Sequence, residues 1–229
     1  MENSNEWVDF LIGEEEIKEI SKDDVETDDS LIMKYSKHNF INKDKNAINK
    51  LGLDEFIILD TETTGISKRD EVIEVGAVHV KNGEIINRFH HYIIPTVSIS
   101  KGAQDVHGLS ISFLKKNGKN ANAVYYELLK FIRRLPIVCH NVPFDKRLLD
   151  QHSKKIGVKL ELNSGFDTLD LARKMLQNVP SNKLTDLIDL FDLRKGLNSH
   201  SAMDDVMATF RLWKVLKKAA KMKNAIKEN

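Results

Sequence analysis

The sequence is poor in cysteine, proline and glycine: its 229 residues include one Cys, four Pro and eleven Gly. With Cys139 alone, an intramolecular disulfide and a thiolate metal cluster are both excluded, and the chain fits a reducing compartment. No run approaches the eighteen apolar residues of a membrane span, and the opening MENSNEWVDF lacks both a basic and an apolar leader region. The expectation is a soluble, cytoplasmic chain with no membrane partner. Internal repeats and low-complexity tracts are also missing. With 41% hydrophobic and 30% charged residues, the composition suits one substantial folded domain rather than a disordered chain.

Net charge is nearly missing too, at +1, but this average conceals two halves of opposite sign. Glu14, Glu15, Glu16, Asp23, Asp24, Asp28 and Asp29 make the front acidic. Lys214, Lys217, Lys218, Lys221 and Lys223 load the end with positive charge. A basic body suits a polyanionic partner, and a basic helix face can equally be a solvated surface. Residues 1–53 alternate short apolar patches with charged and Asn-rich stretches, without a sustained period, and are expected to be an acidic, partly ordered extension. The body is expected over 54–220, followed by a basic tail over 221–229.

Within the body, FIILD reads as a buried strand and EVIEVGAVHV as a second. An Asn-Gly turn at Asn82-Gly83 returns the chain through EIINRFHHYIIP, giving a three-stranded antiparallel start. ANAVYYELLKFIRRL places Val124, Leu128, Phe131, Ile132 and Leu135 on one helical face. PIVCH is then a fourth short strand, and a helix is expected from about Pro143. A final long helix, AMDDVMATFRLWKVLKKAAK, aligns Val206, Phe210, Trp213 and the stem of Lys217. Strands followed by helices predict an α/β fold with a mixed sheet between helical layers.

The chemistry concentrates where the first strand ends, in LDTETTG. Asp60 and Glu62, two apart on an extended segment, point to one side, and their repulsion asks for a cation between them. Oxygen ligands suit a hard ion such as Mg²⁺ or Mn²⁺. An ordinary strand-ending turn could carry the same pair. Asp145, after the fourth strand, is either a site carboxylate or an acid favoured by a helix N-terminus. His200 and the acids Asp204 and Asp205 before the last helix are open to the same two readings.

Taken in order, ILDTETTG, HNVPFDKRLL and HSAMDD resemble the DEDDh, or DnaQ-like, 3′-to-5′ exonucleases. That family includes the proofreading epsilon subunit of bacterial DNA polymerase III. The similarity covers about residues 55–216, with ISKGAQDVHGLS, FDTLDLAR and KLTDLIDLF as supporting stretches. The resemblance implies a ribonuclease H-like fold with a mixed five-stranded sheet flanked by helices. It implies Asp60, Glu62, Asp145 and Asp205 as ligands of two divalent cations, Mg²⁺ or Mn²⁺, and His200 as general base. Asp205 is preferred to Asp204 because the His-type branch has four residues between base and acid. Thr63, Thr64, Gly65 and His107 are implied as contacts of the terminal nucleotide; Phe144 is open to two readings, core beneath the site or a ring that stacks on a base.

The function so implied is removal of nucleoside 5′-monophosphates from the 3′ ends of single-stranded nucleic acid, DNA favoured, in proofreading or repair. A DNA polymerase or another replication protein is the implied protein partner. RNA trimming and a noncatalytic nucleic-acid adaptor are the alternatives.

Overall fold

The computed structural model describes residues 25, 27–37, 52–198 and 200–225. The acidic run Glu14–Glu16 and the end of the basic tail lie outside them. Five strands form one sheet: β1 (Glu55–Thr63), β2 (Val72–Lys81), β3 (Glu84–Tyr92), β4 (Pro136–Cys139) and β5 (Asn163–Asp167), in the order β3-β2-β1-β4-β5. β1, β2 and β3 are antiparallel, whereas β4 and β5 run parallel to β1. The mixed five-stranded sheet expected from the sequence is therefore present, with β1 at its centre.

Why FIIL reads as a continuous apolar run is now evident: Phe56, Ile57, Ile58 and Leu59 are all buried, because both faces of the sheet are covered. Phe56 and Ile58 enter one core with Val78, Val80, Phe166 and Trp213. Ile57 and Leu59 enter the other with Ala77, Phe89, Leu128 and Leu148. The strand's two-residue period divides its side chains between two helical layers.

The helices in chain order are α1 (Asp29–Tyr35), α2 (Lys101–His107), α3 (Ile111–Asn117), α4 (Ala121–Ile132), α5 (Val142–Lys155), α6 (Thr168–Met175), α7 (Leu184–Leu190) and α8 (Ala202–Ala225). α4 stops three residues short of the expected Leu135, because Arg133 turns to φ 54° and ends the helix. α5 begins at Val142, with proline in its first turn as expected.

α8 is the long helix of the first core. Its Trp213 meets Phe56 at 5.0 Å between ring centroids and stacks on Phe210 at 5.9 Å. Three of the terminal lysines are engaged by the protein: Lys214 lies 4.5 Å from the Phe210 ring centroid and Lys217 4.7 Å from that of Trp213, while Lys218 pairs with Asp29.

α1 shows how part of the acidic front joins this layer. Asp28 caps the helix, and Ile32 is fully buried in the α8 core. The end of α1 pairs with the end of α6: Lys37 N–H donates to Met175 O at 2.7 Å, and Gln177 N–H donates to Tyr35 O at 2.8 Å. The edge of Tyr35 meets Phe191 at 6.1 Å.

Candidate active site

Where β1 runs out of apolar residues its alternation continues, and this sorts the acids. Asp60 and Glu62 share the face of Phe56 and Ile58, toward α8, whereas Thr61 shares the face of Leu59, toward α5. Oxygens of Asp60, Glu62 and Asp205 lie within 4.8 Å of one another. Thr61 Oγ1 instead donates to Asp145 Oδ1 at 2.9 Å. Asp145 is buried and stands beside the group of three, near enough for its charge to act on Asp60.

A glycine brings Asp205 across. Gly76 pairs with Asp60 in the β1–β2 ladder, and a Cβ there would sit 2.7 Å from the Ala202 carbonyl carbon and 2.8 Å from Met203 N. Only a bare backbone lets the first turn of α8 rest on β2 at this point. Asp205 N–H then bonds to Ser201 O at 2.9 Å, and His200, with φ 66°, enters the helix from a left-handed conformation.

Burial and mutual repulsion both resist ionisation of these carboxyls. Burial, and then the charges of Asp145, Asp205, Glu62 and Glu74, push the Asp60 carboxyl well above the usual carboxylate range. Burial and the neighbouring Glu74 push Glu62 up to about 8. Asp145 is raised to about 7, mainly by burial against the restraint of the Thr61 hydroxyl. Asp205 is raised to about 6 by burial, with the charge and backbone N–H of His200 pulling the other way. All-oxygen donors whose ionisation is resisted by one another fit a hard divalent cation, which would relieve burial and repulsion together.

Glu74 is a further carboxylate beside this group. It sits across the ladder from Glu62, is 1% exposed, and binds His90 Nε2 through Oε1 at 2.7 Å, with Ser201 Oγ 3.5 Å from the same oxygen. Its position in VIEVGAV marks it: a carboxylate inside an otherwise apolar strand.

The four residues expected to contact a nucleotide are held by the protein in different ways. Thr63 Oγ1 donates to Gly65 O at 2.7 Å, and the fully buried Thr64 donates its hydroxyl to Asp70 Oδ1 at 2.8 Å. Both hydroxyls are therefore spent within the loop. His107 accepts Leu109 N–H at Nδ1 (3.0 Å), which leaves Nε2–H to donate to Thr63 O at 3.2 Å. Burial lowers the pKa of this imidazole. Phe144 packs against the α4–α5 core, with the Arg147 guanidinium 5.5 Å from its ring centroid.

Known proteins resemble this chain over the region that carries these residues. A family model described as Exonuclease (RNase_T) matches residues 57–213. The PolC-type DNA polymerase III of Caldanaerobacter subterraneus subsp. tengcongensis is 35% identical over 166 residues, 72% of this chain and 12% of the polymerase. The 3′-5′ exonuclease DinG of Bacillus subtilis is 32% identical over 156 residues, 67% of this chain and 16% of that protein. The chain thus spans about an eighth of the length of the PolC-type relatives it matches. Among solved structures, E. coli Exonuclease I in complex with a dA16 oligonucleotide superposes with a TM-score of 0.65 at 22% identity, over 75% of this chain and 42% of that one. The fold is thereby the ribonuclease H-like exonuclease fold. With the family model spanning β1 to α8 and these relatives above 30% identity, the chain belongs to the exonuclease family of DnaQ-like nucleases.

Proposed function

We propose that the chain is a metal-dependent 3′-5′ exonuclease that removes nucleoside 5′-monophosphates from single-stranded DNA, in proofreading or repair. The observation that carries this reading is the convergence of Asp60, Glu62 and Asp205 within 4.8 Å, in a chain of the exonuclease family. Asp60, Glu62 and Asp205 would hold one Mg²⁺ or Mn²⁺, and Asp145 would serve a second. Bound, such ions act as Lewis acids on the phosphoryl group and stabilise the entering and leaving oxygens.

The chain's own residues do the rest. His200 takes the proton of the attacking water, a role that suits imidazole at neutral pH. The water oxygen bonds to phosphorus, the bond to the 3′-oxygen breaks, and that oxygen leaves with a proton. Loop 63–65 and His107 border the terminal nucleotide. The hydroxyls of Thr63 and Thr64 are engaged internally and fix the shape of this border.

DNA is favoured because the structural neighbours bind dA16 and dT13 oligonucleotides. The PolC-type and DinG relatives support a replication or repair setting, with a DNA polymerase or another replication protein as partner. The catalytic domain is taken as residues 54–220. Among the described residues no helix is long and apolar enough to cross a membrane, and a cytoplasmic location is part of the proposal.

The test is digestion of 5′-labelled single-stranded DNA and RNA of matched sequence with Mg²⁺, Mn²⁺ or chelator, beside Asp60→Ala. A metal-dependent ladder shortening from the 3′ end of DNA, absent in the variant, is the expected result. Faster trimming of RNA would replace the substrate assignment. Intact substrate in every lane, from folded protein that binds the strands, would replace enzyme by adaptor.

A further inference from the structure

The loop between β1 and β2 owes its shape to one carboxylate that lies outside the metal-binding group. Asp70 Oδ1 accepts the Thr64 hydroxyl at 2.8 Å, and its Oδ2 accepts Ser67 N–H at 2.7 Å. The Thr64 hydroxyl in turn accepts Glu71 N–H at 3.0 Å, while Thr64 N–H donates to Glu71 O at 2.9 Å. Both ends of the loop are thus tied through Asp70 and Thr64. Desolvation works against the Asp70 charge, yet the bonds from Ser67 and Thr64 hold its carboxyl below the usual range, so the anion is the form the loop selects.

Gly65 completes the arrangement. A Cβ on it would fall 2.8 Å from both Asp70 oxygens and 2.9 Å from Cγ, so the carboxylate occupies the space a side chain at position 65 would need. A side chain here would have to displace that carboxylate. Outside this tie, Ser100 N–H holds Thr64 O at 2.8 Å and an Arg147 Nη1–H reaches Ile66 O at 3.3 Å, while the Ile66 side chain is 75% exposed. A rigid backbone therefore begins one residue after Glu62 and ends in an apolar side chain offered to solvent.

We infer that Asp70 is a positioning residue for substrate, acting through Thr64 and Gly65 to hold the loop in the shape that receives the terminal nucleotide. The inference rests on the exonuclease reading above. Asp60 and Glu62 lie on β1 and are held by its ladder to β2, so loosening the loop leaves the carboxylate group standing and alters the fit of the strand.

The experiment measures kcat and KM on a 5′-labelled oligo-dT with Mg²⁺, and binding of the same oligonucleotide in chelator by fluorescence anisotropy. It compares wild type, Asp70→Ala, Asp70→Asn, Gly65→Ala and the Gly65→Ala/Asp70→Ala double variant, with thermal melting of each. Asp70→Ala is expected to raise KM about 10-fold with kcat within about threefold, and to weaken metal-free binding in parallel. Asp70→Asn, whose amide nitrogen cannot accept a hydrogen bond, is expected to lie between. Gly65→Ala should reproduce the defect with the carboxylate still present, and the double variant should be no worse than Asp70→Ala alone. An unchanged KM and unchanged binding would overturn the inference, as would a fall in kcat at constant KM. Should the wild type leave the strand uncut, the exonuclease reading fails, and the binding arm alone decides: weaker binding by Asp70→Ala sustains the positioning role and equal binding removes it. If Asp70→Ala does not fold, Gly65→Ala carries the same comparison.

Discussion

Asp204 and Asp205 are adjacent in sequence and opposite in employment. Asp205 joins Asp60 and Glu62, whereas Asp204 Oδ2 accepts Asn198 N–H at 3.1 Å and steadies the entry to α8. Asp205→Asn is therefore expected to abolish metal-dependent cleavage and Asp204→Asn to leave kcat within a few-fold, both read from initial rates on labelled DNA. On the proposed role of His200 as general base, His200→Ala should lower kcat by about 10²–10⁴-fold. The sequence made these positions legible because they fall in three ordered blocks. Asp70 was not legible, since its bond to Thr64 exists only once the β1–β2 loop has closed, and Glu74 showed only as a carboxylate in an apolar strand until the ladder set it across from Glu62.

At the scale of elements, the placement of α8 depends on Gly76. Gly76→Ala would drive a methyl group into the Ala202 backbone, and overpacking of this kind costs about 1–3 kcal/mol. The expected outcome is a lower urea midpoint together with weaker Mn²⁺ binding, because Asp205 moves away from Asp60. β1 to β4 and the long helices were legible from apolar patterning, and FIIL correctly signalled a buried strand; β5, NSGFD, has no apolar run to mark it, and a fifth strand was expected only from the family resemblance. α1 was not: seven residues are too few to display a helical period, and SLIMKY sits in an acidic context. Its contribution is nevertheless direct, through Ile32 in the α8 core. Ile32→Ala is expected to cost about 2–5 kcal/mol in chemical denaturation, the range for emptying a buried isoleucine site.

For the whole molecule, the crowded carboxylates tie stability to pH and to metal. A carboxyl whose folded pKa is raised binds its proton more tightly in the folded than in the unfolded chain, so stability falls as pH rises from the unfolded value toward the folded one. For Glu62 this window runs from the ordinary carboxylate range near about 4 up to about 8, and for Asp145 up to about 7. Burial lowers the pKa of His107, His140 and His152, which acts in the opposite sense, but only below the ordinary histidine value of about 6.5. Metal-free protein should therefore lose Tm between pH 6.5 and 8. Millimolar Mn²⁺ should restore it at pH 8 and matter less at pH 5, where the ligands hold protons. A Tm that rises over this interval without metal would contradict the arrangement.

The enclosure of α8 has a last consequence, in the exchange of amide hydrogens with solvent. Its residues from Val206 to Val215 are buried apart from the half-buried Lys214, and it packs on β1, itself buried from Phe56 to Leu59. Amides in these two elements should open only when the whole molecule does, so Asp60, Glu62 and Asp205 are carried by its slowest-exchanging segments. The carboxylate group is then gained and lost in one step with the fold.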